Sequence, residues 1–324
     1  MEKASIDKRM EYTAVIRTLG TAGEKYVELL NSLHRQTLPP KKILVYIAEG
    51  YPVPKETIGI EQYIYVKKGM VAQRALPYDE ADTEFMLFLD DDLSFPESAV
   101  ETMYEAMVAN DLDVIAPDVF DNAGRSLKNE IMMTLSGRMR ARYRDDQWGY
   151  KVMRDSGYSY RKHIDKDVYR SSTNAGAAFL CRKADFLKIN LEEELWLDSV
   201  PYALGEDQAM YYKMHKKGLK VGTWYNHSFI HLDAGNNVSK EKEKGLIFSD
   251  FRFKTIFWHR FIYMPEPHLC SRLLDCLAIG YAFAFALLIS VLRLRFDILS
   301  VKLAGIKDGM RFINSGEYKD LPRI

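Results

Sequence analysis

The sequence has few cysteines, no net charge and no apolar segment at its amino end. Three cysteines in 324 residues give neither a metal-binding spacing nor an even disulfide framework, which favours a reduced compartment. Lysine plus arginine and aspartate plus glutamate number 45 each, so no overall field attracts nucleic acid, and no nucleic-acid partner is expected. Residues 1–10 are charged and lack the apolar core of a signal peptide, which predicts a cytoplasmic protein.

Apolar segments of strand length alternate with helical patterns along the first part of the chain. Strands are predicted at residues 12–18, 42–48, 62–66, 85–89, 113–116 and 219–223. Helices are predicted at residues 24–36, 71–80 and from residue 96 onward. This alternation predicts parallel strands in a doubly wound α/β sheet.

The most informative segment is an apolar strand that ends in three aspartates. Phe85–Leu89 is unbroken by polar residues, as expected for a strand covered on both faces, and Asp90, Asp91 and Asp92 follow it directly. Three adjacent carboxylates repel one another and destabilise the fold unless they are neutralised. Mg²⁺ or Mn²⁺ is the simplest partner, because these ions prefer oxygen ligands and because open α/β sheets bind ligands beyond the carboxyl ends of their strands. The alternative is an acidic turn with solvated side chains.

Three later segments also carry polar or small residues of functional interest. Small residues at 174–178 either let the backbone approach a ligand or serve tight packing. Gly205 precedes Glu206 and Asp207 at a helix start, where the helix dipole favours carboxylates and ordinary charge placement is the alternative. A lone histidine such as His231 is more often hydrogen-bonded in a core, but two acidic clusters upstream make it a candidate ligand.

Between residues 134 and 170 the periodic pattern stops, and the segment is rich in arginine and tyrosine. A long loop inside a compact domain is more often a binding loop or lid than a structural insertion. Trp148 and the tyrosines could stack on sugar rings, or they could pack internally.

Taken in this order, the segments resemble the family 2 glycosyltransferases of the GT-A fold over residues 10–235. The matching pieces are V-A-Q-R-A-L-P-Y before F-L-D-D-D-L, then N-A-G-A-A-F-L-C-R, G-E-D-Q-A-M-Y-Y-K and F-I-H. The resemblance implies a Rossmann-like, mostly parallel sheet with flanking helices, in a glycosyltransferase domain at residues 1–245. It also implies an inverting transfer of sugar from a nucleotide sugar, with a UDP-sugar as the expected donor. The Gln-x-x-Arg-Trp signature of processive synthases is absent, which favours transfer of a single sugar.

The resemblance assigns the aspartates to the nucleotide and the metal. Asp90 is expected to contact the nucleoside or ribose, and Asp91 to lie in the same nucleotide site. Asp92 and His231 are expected to hold Mn²⁺ or Mg²⁺ on the diphosphate. A bound cation neutralises the negative charge that develops on the leaving nucleoside diphosphate.

The resemblance assigns the catalytic base to Asp207, with Glu206 as the alternative. An acceptor hydroxyl must lose its proton as it attacks the anomeric carbon, and a one-step inverting displacement requires only one such carboxylate. Thr18 and Glu49 correspond to positions that flank the base and ribose, and Arg74 to a basic residue near the nucleotide. The family usually has Asp where this chain has Glu49, which leaves the identity of the nucleotide base open.

The composition changes near the carboxyl end, where residues 246–324 are expected to form a helical, membrane-associating region. Leu273–Leu292 is almost wholly apolar, but Leu277–Leu292 alone is shorter than the roughly 18 residues of a clear membrane span. Basic residues follow, which favours helices that lie in or dip into the cytoplasmic face of the inner or plasma membrane over a full span or a buried dimer helix. The tail also resembles those of family members with lipid-linked acceptors, which implies a lipid-linked saccharide acceptor in cell-surface polysaccharide assembly.

Three other functions remain open at this point. An Asp-x-Asp motif after an apolar strand also occurs in haloacid dehalogenase-like phosphatases, usually after the first strand, whereas here it follows the fourth strand signal. A sugar nucleotidyltransferase shares the fold but has a glycine-rich basic loop after the first strand, of which residues 17–23 are a poor version. A non-catalytic membrane scaffold would show no metal-dependent nucleotide binding.

Overall fold

The protein is organised around one mixed β-sheet. The computed structural model describes residues 10–119, 127–136, 148–161, 163–200, 202–226, 228–232 and 239–324. In chain order the strands are β1 (Tyr12–Thr18), β2 (Lys42–Ala48), β3 (Glu61–Val66), β4 (Phe85–Asp90), β5 (Leu93–Ser94), β6 (Val114–Pro117), β7 (Tyr150–Val152), β8 (Tyr158–Tyr160), β9 (Val168–Arg170), β10 (Ala178–Arg182), β11 (Val221–Trp224) and β12 (Ile230–His231). The α-helices are α1 (Glu24–His34), α2 (Ala99–Ala109), α3 (Leu127–Leu135), α4 (Lys183–Leu187), α5 (Glu206–Lys216), α6 (Lys240–Phe257), α7 (Leu269–Leu292), α8 (Phe296–Ile313) and α9 (Gly316–Lys319). A 3₁₀-helix (Leu191–Ser199) precedes α5, and a π-helix (Trp258–Tyr263) continues α6.

Eight strands form the main sheet in the order β3-β2-β1-β4-β10-β6-β11-β9. Neighbouring strands run parallel, except that β10 is antiparallel to both β4 and β6 and β9 is antiparallel to β11. β2 and β4 are almost wholly buried, because helices cover both faces of the sheet. The predicted α/β class, with a mostly parallel sheet and flanking helices, is confirmed.

Two apolar clusters lie on opposite faces of this sheet. Alternate residues of β4 contribute to each of them, with Met86 in one cluster and Leu87 in the other, because successive strand side chains point to opposite faces. Leu29 of α1 packs with Leu87 on one face. Trp196 of the 3₁₀-helix and Phe257 of α6 pack with Met86 on the other.

The predicted strands form close to the predicted positions, but the helix predicted over residues 71–80 is wrong. This segment is a series of turns. Pro77 lacks the amide hydrogen that a continuing helix needs and restricts the residue before it. Tyr78, which follows, has a φ of 54° and therefore leaves the right-handed helical region.

The segment predicted as a binding loop, residues 134–170, contains regular structure where it is described. β7 and β8 pair as an antiparallel hairpin, and β9 forms the edge of the main sheet. Trp148 packs edge-on against His215 of α5, with 5.6 Å between the ring centroids, so it serves internal packing. Residues 137–147 and 162 lie outside the described part of the chain, and a lid role stays a prediction.

The carboxyl-terminal helices pack directly on the sheet domain. The boundary predicted between residues 245 and 246 lies within α6, whose Phe257 belongs to the same core as the sheet. Glu194, fully buried, accepts hydrogen bonds from Lys213 Nζ at 2.9 Å and from Arg260 Nη2 at 2.9 Å. Burial alone would raise the pKa of Glu194, but the charges of Lys213 and Arg260 lower it. This ion cluster joins the 3₁₀-helix, α5 and the π-helix.

Helix α7 is the one described helix that is long and apolar enough to cross a membrane. One side of it rests on the protein through Asp275, Ile279 and Ala282, which are buried. The opposite side exposes apolar residues, among them Leu273 and Leu277 at 61% and 60% exposure. Only 17% of its most apolar 18-residue segment is buried within the protein, so α7 is unlike the core helix of a soluble domain, which is mostly buried.

Candidate active site

The sheet topology brings distant polar residues to one edge. β1 and β4 are parallel neighbours, and Arg17 lies opposite Asp90 in the register. β10 runs antiparallel to β4 with Ala178 opposite Leu89, so the small residues that precede β10 arrive at the same edge. This placement follows the general rule for ligand sites in open α/β sheets.

The three aspartates have different environments. Arg17 Nε donates to Asp90 Oδ1 at 2.7 Å. Thr18 Oγ1 donates to Asp91 Oδ2 at 2.5 Å. Burial raises the pKa of Asp91 to about 6; the hydrogen bond from Thr18 lowers this pKa, and repulsion from Asp92 raises it further. Asp91 therefore lies where an added positive charge would be favourable.

Asp92 and His231, the two predicted metal ligands, lie together. β12 pairs with β5, which follows the aspartates, and this pairing places His231 Nε2 3.1 Å from Asp92 Oδ1. Among the described residues, no group of three or more His, Cys, Asp or Glu side chains could hold a metal by itself. Mg²⁺-type ions, however, are usually held by one or two protein ligands together with water and substrate phosphates. A carboxylate, an imidazole and two adjacent carboxylates facing one cavity fit such an ion.

Arg74 joins the aspartates to the acidic pair at the start of α5. Its Nη1 donates to Glu206 Oε1 at 2.5 Å and to Asp207 Oδ1 at 3.1 Å. Its Nη2 lies 3.6 Å from Asp90 Oδ1 and donates to the Gly176 carbonyl at 2.8 Å. Carboxylates that are more than a hundred residues apart in the sequence, Asp90 and the pair Glu206 and Asp207, therefore contact the same guanidinium group.

Glu206 and Asp207 differ in protonation. Burial, opposed by Arg74 and Arg17, raises the pKa of Glu206 to about 8. Burial acts in the same direction on Asp207, but the charge of Arg74 and a hydrogen bond from Glu206 hold the pKa of Asp207 below its usual range. The environment therefore favours the carboxylate form of Asp207 and the protonated form of Glu206.

The two acids also differ in access. The side chain of Asp207 is 39% exposed, whereas that of Glu206 is 2% exposed. A Cβ atom at Gly176 would lie 1.8 Å from Asp207 Oδ1, so only glycine lets Asp207 sit against this backbone. A base must reach its substrate, and the geometry favours Asp207.

Arg74 contacts a lining residue of each of two cavities. The first, of about 770 Å³, is lined by polar residues that include Thr18, Asp90, Asp91, Asp92 and His231. The second, of about 440 Å³, is lined by Asp207 together with Tyr158 of β8 and Phe253 and Lys254 of α6. Arg74 contacts Asp90 on the first side and Asp207 on the second.

Glu49 is the one predicted site residue that the structure does not bring to this cleft. Its side chain is exposed at the end of β2, and it is not among the residues that line the first cavity. Its predicted role beside the base or ribose stays a prediction.

Sequence reasoning missed several residues of the first cavity, among them Arg17, Lys25, Lys68 and Asp198. Arg17 could have been predicted from its position, because it is a basic residue near the end of β1 and β1 pairs with the strand that ends at Asp90. Asp198 had no local signal, because its contacts are with residues more than a hundred positions away.

Comparison with known proteins bears on the fold and on the family resemblance. The family model described as glycosyl transferase family 2 matches residues 63–169. A solved structure, that of GalNAc-T7 with UDP, GalNAc and Mn²⁺, aligns with a TM-score of 0.50 and 12% identity over 86% of this chain. The chain spans 55% of that neighbour's length. No curated protein is significantly similar in sequence.

These findings confirm the GT-A fold and the resemblance to family 2 glycosyltransferases. Both matches agree with the prediction of a glycosyltransferase.

Proposed function

We propose that this protein transfers a single sugar from a nucleotide-sugar donor to an acceptor hydroxyl, with inversion and with the help of a divalent cation. The observation that carries the proposal is the arrangement around Arg74. Arg74 contacts Asp90, one of three aspartates that line the first cavity, and also Asp207, an accessible carboxylate that lines the second.

The first cavity is the proposed donor site. Its volume of about 770 Å³ lies within the range of about 300–1,000 Å³ that is typical of small-molecule sites. Lys25 and Lys68 also line it, and cations of this kind suit a diphosphate. The GalNAc-T7 neighbour was solved with UDP, which supports a UDP-sugar as the first donor to test.

Asp92 and His231 would hold the divalent cation, with Asp90 and Asp91 toward the nucleotide. When bound, Mn²⁺ or Mg²⁺ would neutralise charge on the diphosphate. Mn²⁺ in the GalNAc-T7 structure supports the choice of manganese as the first ion to test. Arg17 Nε lies 2.7 Å from Asp90 Oδ1, so the positive charge of Arg17 neutralises this one of the three carboxylates even when no cation is bound.

Asp207 is the proposed base. It opens onto the second cavity, where an acceptor hydroxyl would donate its proton to the carboxylate as it attacks the sugar. Glu206 is buried, and burial raises its pKa, so it is less suited than Asp207 to act as a nucleophile. A single available carboxylate is what an inverting displacement requires.

The carboxyl-terminal helices are the proposed contact with the acceptor and with the membrane. Lys254 and Phe253 of α6 line the second cavity, and the chain continues from α6 to the exposed apolar side of α7. Arg293 and Arg295 follow α7 and are exposed, which suits an anionic cytoplasmic leaflet. A lipid-linked saccharide would therefore meet Asp207 from the membrane surface, with the protein lying in or dipping into that surface.

A binding and turnover experiment tests the function. The melting temperature of the full chain is measured with UDP-, dTDP- and GDP-sugars, each with and without Mn²⁺, since ligands of the folded state raise it. We expect a rise for one donor that depends on the cation, and release of the matching nucleoside diphosphate when membrane lipid acceptors are added. Release of phosphate without sugar transfer would contradict the proposal and favour a phosphatase.

A further inference from the structure

Asp198, at the end of the 3₁₀-helix, holds the backbone of the turn that carries Arg74. Its Oδ1 accepts from the Val71 amide at 3.1 Å, and its Oδ2 accepts from the Ala72 amide at 2.8 Å. The contact is close, since a Cβ atom at Gly69 would lie 2.2 Å from Asp198 Oδ2. Two charge-assisted hydrogen bonds from one carboxylate fix the position of this turn.

The position of Val71 determines that of Arg74. The Val71 carbonyl accepts from the Arg74 amide at 2.9 Å and from the Ala75 amide at 2.7 Å. Because these bonds lie within one short turn, a shift at Val71 is passed to the Arg74 backbone. Arg74 in turn holds Asp90, Glu206 and Asp207.

A carboxyl-terminal helix, α6, contacts the residues on either side of Asp198 in the chain. Arg252 of α6, whose side chain is 6% exposed, donates from Nη2 to Ser199 Oγ at 2.9 Å and from Nη1 to the Trp196 carbonyl at 3.4 Å. Its Nε donates to Asp308 of α8 at 2.9 Å. Arg252 therefore ties α6 and α8 to the two residues that flank Leu197 and Asp198.

We infer that Asp198 is a positioning residue for Arg74, and that α6 and α8, through Arg252, are part of the catalytic machinery as well as an attachment to the membrane. The inference rests on the proposed function. It assigns a role in catalysis to a region that the sequence predicted only as a membrane anchor.

The electrostatics of Asp207 give this role a specific signature. Asp207 faces Arg74, Arg17 and Glu206, and Asp250 and Lys254 line the cavity that it opens onto. Arg74 is the largest favourable charge on the Asp207 carboxylate. If Arg74 moves away, Asp207 keeps its proton to higher pH, and the acid limb of the rate profile shifts upward.

The test compares Asp198→Asn with Glu61→Gln in the full chain. Glu61 also accepts from backbone amides, those of Ile58, Gly59 and Ile60, but it lines neither cavity. We expect Asp198→Asn to lower kcat about tenfold or more, since small displacements of a catalytic group have large effects, and to shift the acid limb upward. Glu61→Gln should leave both unchanged.

Arg252→Lys provides a second variant that touches no cavity residue. Lysine cannot reproduce the three contacts of the guanidinium group, so we expect a smaller fall in kcat with the same upward shift of the acid limb. An Asp198→Asn variant whose KM for the donor rises while kcat and the pH profile stay unchanged would overturn the inference, because Asp198 would then contact the donor directly. Wild-type kinetics in Arg252→Lys would overturn the role of the helices.

Hydrogen–deuterium exchange separates this inference from the proposed function. Amides of residues 69–76 should exchange faster in both variants than in the wild type and in Glu61→Gln, whatever reaction the protein performs. If the wild type transfers no sugar but this segment is loosened, the proposed function fails and the positioning role stands. Unchanged exchange in both variants would overturn the positioning role.

Discussion

Replacing Glu206 by glutamine should remove a pH dependence of stability that this one side chain creates. Glu206 is 3% exposed and contacts both Arg74 and Asp207. Glutamine keeps an oxygen to accept from Arg74 and an amide to donate to Asp207, so the packing is preserved. What changes is the ability to lose a proton.

The size of the effect follows from the pKa. Burial first, with Arg74 and Arg17 opposing, raises the pKa of Glu206 from 4.5 to about 8. A raised folded-state pKa means that the stabilisation is fully present below the unfolded value and is lost as pH rises through the folded value. Between about pH 5 and pH 8, the wild type should therefore lose up to roughly 1.4 kcal/mol per pH unit relative to Glu206→Gln. The coupling to Asp207 makes this an upper limit.

The assay is guanidinium-induced unfolding of both proteins at pH 5, 6, 7 and 8, without nucleotide or divalent cation. The difference in the free energy of unfolding cancels the titrating groups that do not interact with residue 206. Glu49→Gln is the matched control, because Glu49 is exposed and the same chemical change there should give a constant difference. If the wild type and Glu206→Gln curves stay parallel from pH 5 to pH 8, Glu206 is ionised in the folded protein and the assignment of Asp207 as the only carboxylate fails.

Three further predictions concern the base, the buried ion cluster and the apolar helix. Asp207→Asn should lower kcat by roughly 10²–10⁴-fold while donor binding measured by calorimetry stays near the wild-type value; an equal loss of donor affinity would argue against its role as base. Lys213→Met leaves Glu194 with Arg260 as its cationic partner in the cluster and should cost about 3–5 kcal/mol, seen as a lower melting temperature; an unchanged melting temperature would show that the cluster is dispensable. Leu277→Asp, on the exposed side of α7, should reduce co-sedimentation with anionic vesicles without changing the melting temperature, and undiminished binding would contradict a membrane role for that side.

The sequence predicted those parts of the fold that depend on local patterns. Phe85–Leu89 was predicted as a buried strand because a short apolar segment that ends in polar residues suits one, and the aspartates after it were therefore expected at the edge where such sheets bind ligands. The turn at residues 71–80 was misread as a helix since its apolar spacing outweighed Pro77. Only the folded chain shows that this turn is held by a carboxylate from the 3₁₀-helix.

The candidate site was predictable where acids follow an element boundary, as with Asp92 and Asp207. It was not predictable where a residue acts through long-range contacts. Asp198 lines the first cavity, yet it does not stand in a pattern that sets it apart from other charged residues. Glu49 is the opposite case: its position at the end of β2 predicted a site residue, but Glu49 does not line the first cavity in the structure.

The antiparallel strand β10 has a consequence for how the chain reaches this fold. It is inserted between β4 and β6, although about sixty residues of chain separate it from β6 in the sequence. Until residues 178–182 leave the ribosome, β4 and β6 each present an unpaired edge, and exposed edges of apolar strands promote aggregation. Translation that stalls before residue 182 should therefore yield a nascent chain that exposes these edges and depends on chaperones.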